Sequence, residues 1–194
     1  MALSDSTIVT TVGGASSNSY VSLSDFNTYR DLYRVSADGF DRAEPDAKIR
    51  ALLVATRRLE RENWRGNRAS STQNLAWPRY GVPKRDGALV GGADPIPGAG
   101  GLLGYRTGYG IYSGGYYGEL WESTTIPQPI KDAQCELALA YLDGYEDDTS
   151  GGIDSFQADG ISVKMAGGGP QGVLPSAVAQ LISGMTQGPR LVRS

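Results

Sequence analysis

The chain contains no histidine among its 194 residues, and this absence limits the chemistry open to it. Histidine is the commonest general base and the commonest transition-metal ligand in proteins. The single cysteine, Cys135, lies in an apolar run without a histidine to activate it, so we interpret it as a small core residue rather than a nucleophile. The sequence also lacks a Gly-Lys-Ser/Thr phosphate loop. We therefore predict no catalytic residue, no cofactor and no enzyme activity.

The densest group of carboxylates is Glu146-Asp147-Asp148. It lacks the alternating ligand spacing and the later glutamate of a calcium-binding loop. We interpret it as a solvated acidic turn and predict no metal site.

Positive charge is concentrated between residues 57 and 85, where eight basic residues stand against two acidic ones. This segment has a formal charge of +6, so the remainder carries −9 within a net charge of −3. The basic residues are Arg57, Arg58, Arg61, Arg65, Arg68, Arg79, Lys84 and Arg85. The asymmetry indicates either a phosphate-binding face or the positive half of a charge-complementary subunit contact, for which Arg57 and Arg61 are our candidates.

Helical spacing of apolar residues predicts the elements that position these charges. The first helix begins after Ser22, a capping residue with an acid three residues further on, and ends before Gly39. The second begins near Pro45, is strongly amphipathic through Leu59 and fades before Gly66.

A third helix is predicted from Ile130 to Gly144, with apolar residues on nearly all sides, which is typical of a central buried helix. Residues 67–86 are predicted to form an ordered but irregular loop, in which Pro78 favours an extended Trp77. Trp77 either covers the helical core or anchors a partner.

A Gly/Tyr-rich insertion, residues 87–120, interrupts the chain. From residue 87 to residue 118 it holds twelve glycines and five tyrosines with very little charge, and neither helical nor strand periodicity is sustained. It is either a flexible linker or an arm that orders against a neighbouring subunit, since tyrosine offers large contact area at low entropic cost. The candidate contact residues are Tyr105, Tyr109, Tyr112, Tyr116 and Tyr117.

The C-terminal third contains two further predicted elements. Asp159-Gly160 between β-compatible residues predicts a β-hairpin over residues 155–164, followed by a glycine-rich hinge at 167–170. Residues 175–185 form a short amphipathic helix that could dock on another protein. Its apolar stripe consists of Val178, Leu181, Ile182 and Met185.

The expected fold is mainly α: a small helical bundle of three to four helices with a β-hairpin and a long Gly/Tyr-rich loop or arm. We divide the chain into an N-terminal extended segment (1–20), a helical core (21–145) containing the insertion, a turn, hairpin and hinge (146–170), and a docking helix with its tail (171–194). The first residues lack the pattern of a signal peptide, and no apolar run reaches the roughly 20 residues that a transmembrane helix needs. We expect neither export through a signal peptide nor a membrane-spanning role.

Four sequence segments carry a family resemblance: Asn18-Ser-Tyr-Val-Ser-Leu-Ser-Asp25, Ala55-Thr-Arg-Arg-Leu59, Thr72-Gln-Asn-Leu-Ala-Trp-Pro-Arg79 and Ile126-Pro-Gln-Pro-Ile-Lys-Asp-Ala-Gln-Cys-Glu-Leu-Ala138. Together they resemble the head-to-tail connector (adaptor) proteins of tailed phages, including members often labelled DnaT-like single-stranded DNA-binding proteins. The chain departs from that pattern at the Gly/Tyr-rich insertion, where such proteins usually have a shorter loop.

The resemblance implies a structural protein of the virion neck, made in the host cytoplasm. It implies a homo-oligomeric ring of twelve copies beneath the portal protein and above stopper or tail-terminator (collar) proteins. Genome DNA would pass through the channel without sequence recognition, and no membrane is involved. In this family a terminal helical segment inserts into or against the portal, a role that suits residues 175–185.

A single-stranded DNA-binding replication protein is the alternative. It would use Arg57, Arg58, Arg61, Arg65 and Arg68 for phosphates, and Trp64, Trp77 or the tyrosines for base stacking. The acidic net charge and the lack of positive charge among the tyrosines argue against it. A stopper or tail-terminator protein is a further alternative, but such proteins are generally β-rich.

Overall fold

The protein is described from a computed structural model, which covers residues 3–84, 119–146 and 174–187 in full. For residues 105–106, 111–112, 155–158 and 161–164 it describes the backbone only. The α-helices of these residues are α1 (Leu23–Tyr33), α2 (Asp38–Arg42), α3 (Pro45–Leu59), α4 (Gln128–Leu142) and α5 (Ser176–Leu181). The strands are β1 (Asn67–Arg68), β2 (Arg79–Tyr80), β3 (Tyr105–Arg106), β4 (Ile111–Tyr112), β5 (Ser155–Ala158) and β6 (Ile161–Lys164). They form antiparallel pairs β1–β2, β3–β4 and β5–β6.

Helices α3 and α4 pack together at the centre of the fold, and α1, α2 and α5 all pack on α4. The side chains between α3 and α4 are almost completely buried, among them Leu52, Leu59, Ile130 and Leu137. Burying a side chain of this kind contributes about 1.5–3 kcal/mol each. The prediction of α4 as the central buried helix, with Cys135 as a core residue, fits this packing.

The predicted start of α1 is confirmed. Ser22 accepts a hydrogen bond from the backbone N–H of Asp25, and the Asp25 side chain accepts from Ser22 in return, which completes a capping box. The helix ends at Tyr33, and the short helix α2, which the sequence pattern did not predict, follows. In α2 the backbone of Gly39 lies so close to the C-terminal end of α4 that a Cβ there would lie 2.3 Å from the Leu142 carbonyl oxygen. Glycine is therefore required at this crossing.

Of the N-terminal segment predicted to be extended (1–20), the structure describes residues 3–20, and these fold back on themselves. After a single 3₁₀ turn at Asp5–Thr7, Asn18 closes a loop by accepting from the Val9 N–H (2.8 Å) and donating to the Thr7 carbonyl (2.7 Å). Ser17 and Ser19 are buried against the helices. The N-terminal segment is thus part of the core.

A tight turn and two packed tryptophans fix the path of the chain after α3. α3 ends at Leu59, earlier than the predicted stop, and Gly66 instead makes a tight turn at φ +67°, where a Cβ would lie 2.2 Å from the Tyr80 carbonyl oxygen. Trp64 and Trp77 pack edge to face with ring centroids 5.7 Å apart. Trp77 is 1% exposed, so the interpretation that it covers the helical core is confirmed.

The Gly/Tyr-rich insertion leaves and re-enters the core at one place, which we call the arm root (residues 82–84 and 119–121). The Lys84 N–H donates to the Glu119 carbonyl (2.7 Å), and the Trp121 N–H donates to the Val82 carbonyl (2.9 Å). The Lys84 ammonium pairs with the Glu119 carboxylate and lies 5.3 Å from the centroid of the Trp121 ring. Because the two ends of the insertion are bonded to each other, the core closes without the residues between them.

The fold class is as predicted: the protein is mainly helical, and the hairpin forms with Ala158 opposite Ile161, as the Asp-Gly signal indicated. Within the ranges given above, no helix is both long and apolar enough to cross a bilayer.

Removing the arm should leave the core intact. We expect a variant in which Asn-Gly replaces residues 85–118 to keep the helical circular dichroism signal of the wild type and to melt cooperatively. The reason is that Lys84 and Glu119 are already hydrogen-bonded to each other, and a two-residue turn can connect such a pair. Thermal melting and size-exclusion chromatography measure this. A variant that unfolds or aggregates on purification would show that the insertion belongs to the core.

Candidate functional site

Three of the four segments that carry the family resemblance meet at one buried residue, Tyr20, together with Glu60, which directly follows the fourth. The Tyr20 hydroxyl donates to the carboxylate of Glu60, which immediately follows α3. The same carboxylate accepts from the Ala76 N–H (2.8 Å), and the Trp77 N–H approaches the Tyr20 hydroxyl oxygen at 3.4 Å. We call Tyr20, Glu60 and the backbone of Ala76 and Trp77, together with Gln134, the signature cluster.

Gln134 joins α4 to this cluster from the opposite side. It is fully buried, accepts from the Tyr20 N–H (3.0 Å) and donates to the Ser19 hydroxyl (2.7 Å) and the Leu52 carbonyl (3.1 Å). A buried amide with these partners is satisfied and has no free polar atom to offer a ligand.

Burial sets the ionisation of the cluster. Desolvation, followed by the charge of Glu60, raises the pKa of Tyr20 well above its ordinary value, so the hydroxyl stays protonated and donates. Burial also raises the pKa of Glu60, although its hydrogen bonds from Tyr20 and Ala76 and the nearby charges of Arg68 and Arg79 oppose that shift. The cluster can stabilise the fold, but it lacks an exposed group that could perform chemistry on a substrate.

Four residues of the basic segment make internal contacts. Arg58 is 3% exposed and pairs with Glu62 (2.6 Å). Arg79 donates to the carbonyls of Arg65 (2.7 Å) and Gly66 (2.6 Å), and Arg65 donates to the Thr186 carbonyl (3.0 Å). Lys84 belongs to the arm root described above.

The remaining described members, Arg57, Arg61 and Arg68, are exposed and have no ion-pair partner among the residues that the structure describes. Arg57 lies in the last turn of α3, Arg61 just beyond it, and Arg68 on β1 directly opposite Arg79. The candidates Arg57 and Arg61 are therefore available for a contact. Arg58 is not available, and Arg85 lies outside the described residues.

Base stacking requires an exposed ring face, and the two tryptophans considered for it are buried. Trp64 is 5% exposed and Trp77 1%, so neither presents a ring face to solvent. Tyr80 on β2, which sequence reasoning did not select, is 53% exposed. The feature of the sequence that could have identified Tyr80 is its position next to Arg79 in the basic segment.

The arm candidates are described in part. Tyr105 and Tyr112 are directly opposite each other in the β3–β4 pair. Tyr109, Tyr116 and Tyr117 lie outside the described residues.

The C-terminal docking stripe requires a correction. Val178, Ile182 and Met185 are at most 5% exposed because they pack into the protein's own core, and Leu181 is half-buried against it. The Arg65 N–H also donates to the Met185 carbonyl (2.8 Å). In this arrangement the stripe completes the core and leaves no free apolar face for another protein.

The remaining residues considered for catalysis or metal binding are Cys135 and the carboxylates. Cys135 is buried, and desolvation raises the pKa of its thiol, so it is not a reactive thiolate. Among the residues described, no three histidine, cysteine, aspartate or glutamate side chains converge as a metal site would require. Of the acidic turn, Glu146 alone falls within the description.

Residues 6–99 match the model of the family described as "Putative DnaT-like ssDNA binding protein". The matched range is just under half of the chain and includes α1, α2, α3 and the β1–β2 pair, whereas α4 and α5 lie beyond it. No curated protein and no solved structure matches the chain. Three of the four resembling segments fall inside the matched range, and all of those three contribute to the signature cluster or lie beside it.

The raised pKa of Glu60 predicts a pH-dependent stability. The folded state holds the Glu60 proton more tightly than the unfolded chain does, so wild type loses stability as the pH rises from the ordinary glutamate value of about 4.5 through the raised pKa. Glu60→Gln has no such proton to release. We expect the melting temperature of Glu60→Gln relative to wild type to increase between about pH 4 and about pH 7.

Glu44→Gln provides the control, since Glu44 is exposed. Its melting temperature should follow that of wild type across the same pH range. A constant difference between Glu60→Gln and wild type at every pH would contradict the assigned environment of Glu60.

Proposed function

We propose that this chain is a structural adaptor of the neck of a tailed-phage virion, which assembles as a ring between the portal and the stopper or tail-terminator proteins. The observation that carries the proposal is that Tyr20, Ala76, Trp77 and Gln134, which come from three of the four resembling segments, are buried in the signature cluster. They specify a scaffold, so the surface available for function lies elsewhere. A subunit that acts by position needs only such a scaffold and outward contact surfaces.

The arm root supports the same function. The insertion is connected to the core through two adjacent, hydrogen-bonded segments, so the arm can contact a neighbour without rearrangement of the helices. The burial of the C-terminal stripe in the protein's own core argues against the portal-binding role that the resemblance implied for α5. We therefore assign portal or collar contact to the arm, and leave α5 as part of the core.

Ring formation and portal binding test the proposal. We expect negative-stain images of the purified protein, alone or mixed with portal protein of the same virus, to contain rings of twelve copies, and the arm-deleted variant to bind portal or collar protein more weakly. A wild-type protein that forms no ring and does not co-sediment with portal would refute the proposed function.

A second candidate, binding to single-stranded DNA, is favoured by the description of the matched family and by the exposed Arg57, Arg61 and Arg68. Cationic side chains on one part of a surface attract phosphates, and the exposed Tyr80 offers one ring for stacking. The burial of Trp64 and Trp77 removes the two largest stacking candidates.

Fluorescence anisotropy with an oligothymidine across a salt series separates the two candidates. For the adaptor we expect weak binding that changes little when Arg57 and Arg61 are replaced by alanine. Binding through these arginines would instead be tight and would weaken steeply with salt, with a slope of about −0.7 for each phosphate neutralised. That result would favour the second candidate.

A further inference from the structure

The basic segment presents positive charge that its own acids do not neutralise. Residues 57–80 contain six arginines and two glutamates, so their formal charge is +4. Both glutamates are bonded within the chain, one in the signature cluster and the other in the ion pair with Arg58. The exposed arginines without an ion-pair partner among the residues described are Arg57, Arg61 and Arg68, which we call the basic surface.

Hydrogen bonds join the two parts of the chain that carry the basic surface. Two of its arginines lie four residues apart, at the end of α3 and just beyond it. The third, Arg68, is on β1, directly opposite Arg79 on β2. Arg79 donates to the Ala76 carbonyl (3.3 Å), and the Ala76 N–H donates to Glu60 (2.8 Å), which directly follows α3. The three arginines therefore belong to one part of the protein.

The fold does not account for Arg68. Like charges directly opposite each other destabilise an antiparallel pair, and the charge that the fold uses at this position is that of Arg79. Arg79 holds the turn before β1 by donating to the carbonyls of Arg65 (2.7 Å) and Gly66 (2.6 Å). Burial, followed by the charge of Arg68, lowers the pKa of Arg79. A cation that costs stability where it stands indicates an anionic ligand.

The side chains around the basic surface favour phosphate over the carboxylates of another protein. No large apolar side chain is exposed between residues 55 and 79, whereas the centre of a protein interface is usually apolar or aromatic. Asn63 and Asn67 are exposed in the same segment as the arginines. Arginine and asparagine are both among the side chains that bind phosphate oxygens in nucleic acids. The basic surface therefore fits the backbone of a nucleic acid.

A duplex fits the basic surface better than a single strand does. Proteins that bind single strands stack bases on aromatic rings as well as contacting phosphates. Trp64 and Trp77 are buried, and Tyr80 is the one exposed ring between residues 57 and 84. Duplex DNA carries one charge for about every 1.7 Å of its axis, twice the density of one strand. A surface with several cations and a single ring gains more from the denser charge.

We propose that the basic surface binds the phosphate backbone of double-stranded DNA without reading its sequence. The inference goes beyond the adaptor function and does not depend on ring formation. It differs from the second candidate function because base stacking takes no part in it. The acid in the first turn of α3, Asp46, does not oppose this binding. It lies about 16 Å from Arg57 along the helix axis, beyond the Debye length of about 8 Å at physiological salt.

Fluorescence anisotropy with a short labelled duplex across a salt series tests the inference. We expect the logarithm of the binding constant to fall with the logarithm of the salt concentration at a slope of about −2.7, or about −0.9 for each of three phosphates. A second duplex of different sequence should bind equally well. Oligothymidine of the same length should bind about tenfold more weakly than the duplex, or worse.

Arginine variants connect the binding to the basic surface. Arg57→Ala/Arg61→Ala should weaken duplex binding about tenfold or more and reduce the slope to about −0.9. Arg68→Ala should weaken binding with a slope of about −1.8, yet melt at the wild-type temperature or above it, because it removes a like-charge pair. The control Arg42→Ala/Arg50→Ala removes two exposed arginines outside the basic surface and should bind the duplex as wild type does.

Four outcomes would overturn the inference: wild type that does not bind the duplex, Arg68→Ala that binds it unchanged, oligothymidine that binds more tightly than the duplex, or polyglutamate that displaces the duplex at equal charge concentration. The third would favour the second candidate function, and the fourth would assign the surface to an acidic protein. Rings without duplex binding would leave the adaptor function standing and overturn this inference. Duplex binding by a protein that forms no ring would do the reverse.

Discussion

The fold depends on the burial of Tyr20, whose hydroxyl is bonded to Glu60 and whose backbone is bonded to Gln134. This residue joins the N-terminal segment, the end of α3, the loop before Trp77 and the central helix α4. A carboxylate or amide left without its partners in such a place costs several kcal/mol, so the cluster is stable only when complete. The loop that leads to the arm root starts from this cluster. The position of the arm root therefore depends on the hydrogen bonds of this cluster.

The cluster also explains how segments that resemble a family can be specific without marking a ligand site. Residues such as Tyr20 and Trp77 are constrained because they must fit one another in the core. Surface residues such as Arg61 and Glu44 have no such constraint from packing. Scaffold and contact surfaces are thus separate in this protein. A match within residues 6–99 consequently reports the fold more directly than it reports what the surface binds.

Features encoded by neighbouring residues could be predicted from the sequence. The cap at Ser22, the amphipathic α3, the buried α4 and the Asp-Gly hairpin all depend on short-range patterns. Features set by distant contacts could not. Helix α2 contains Gly39, and glycine is a poor helix former, so this helix depends on its packing against α4. Arg58 is oriented inward although its neighbour Arg57 points to solvent, and α5 is held in the core by packing on α4 and by the hydrogen bond from Arg65 to Met185 just beyond it.

The arm root has a thermodynamic consequence for the length of the insertion. Its two segments are already hydrogen-bonded to each other, so the chain between Lys84 and Glu119 forms a closed loop whose ends are fixed by the core. The entropic cost of closing such a loop rises only with the logarithm of its length, at about 0.6 kcal/mol for each doubling. Segments of very different length and composition could therefore be grafted between these two residues at nearly constant stability. The arm root is therefore a position where segments of different length can be inserted, whereas the buried core tolerates few substitutions.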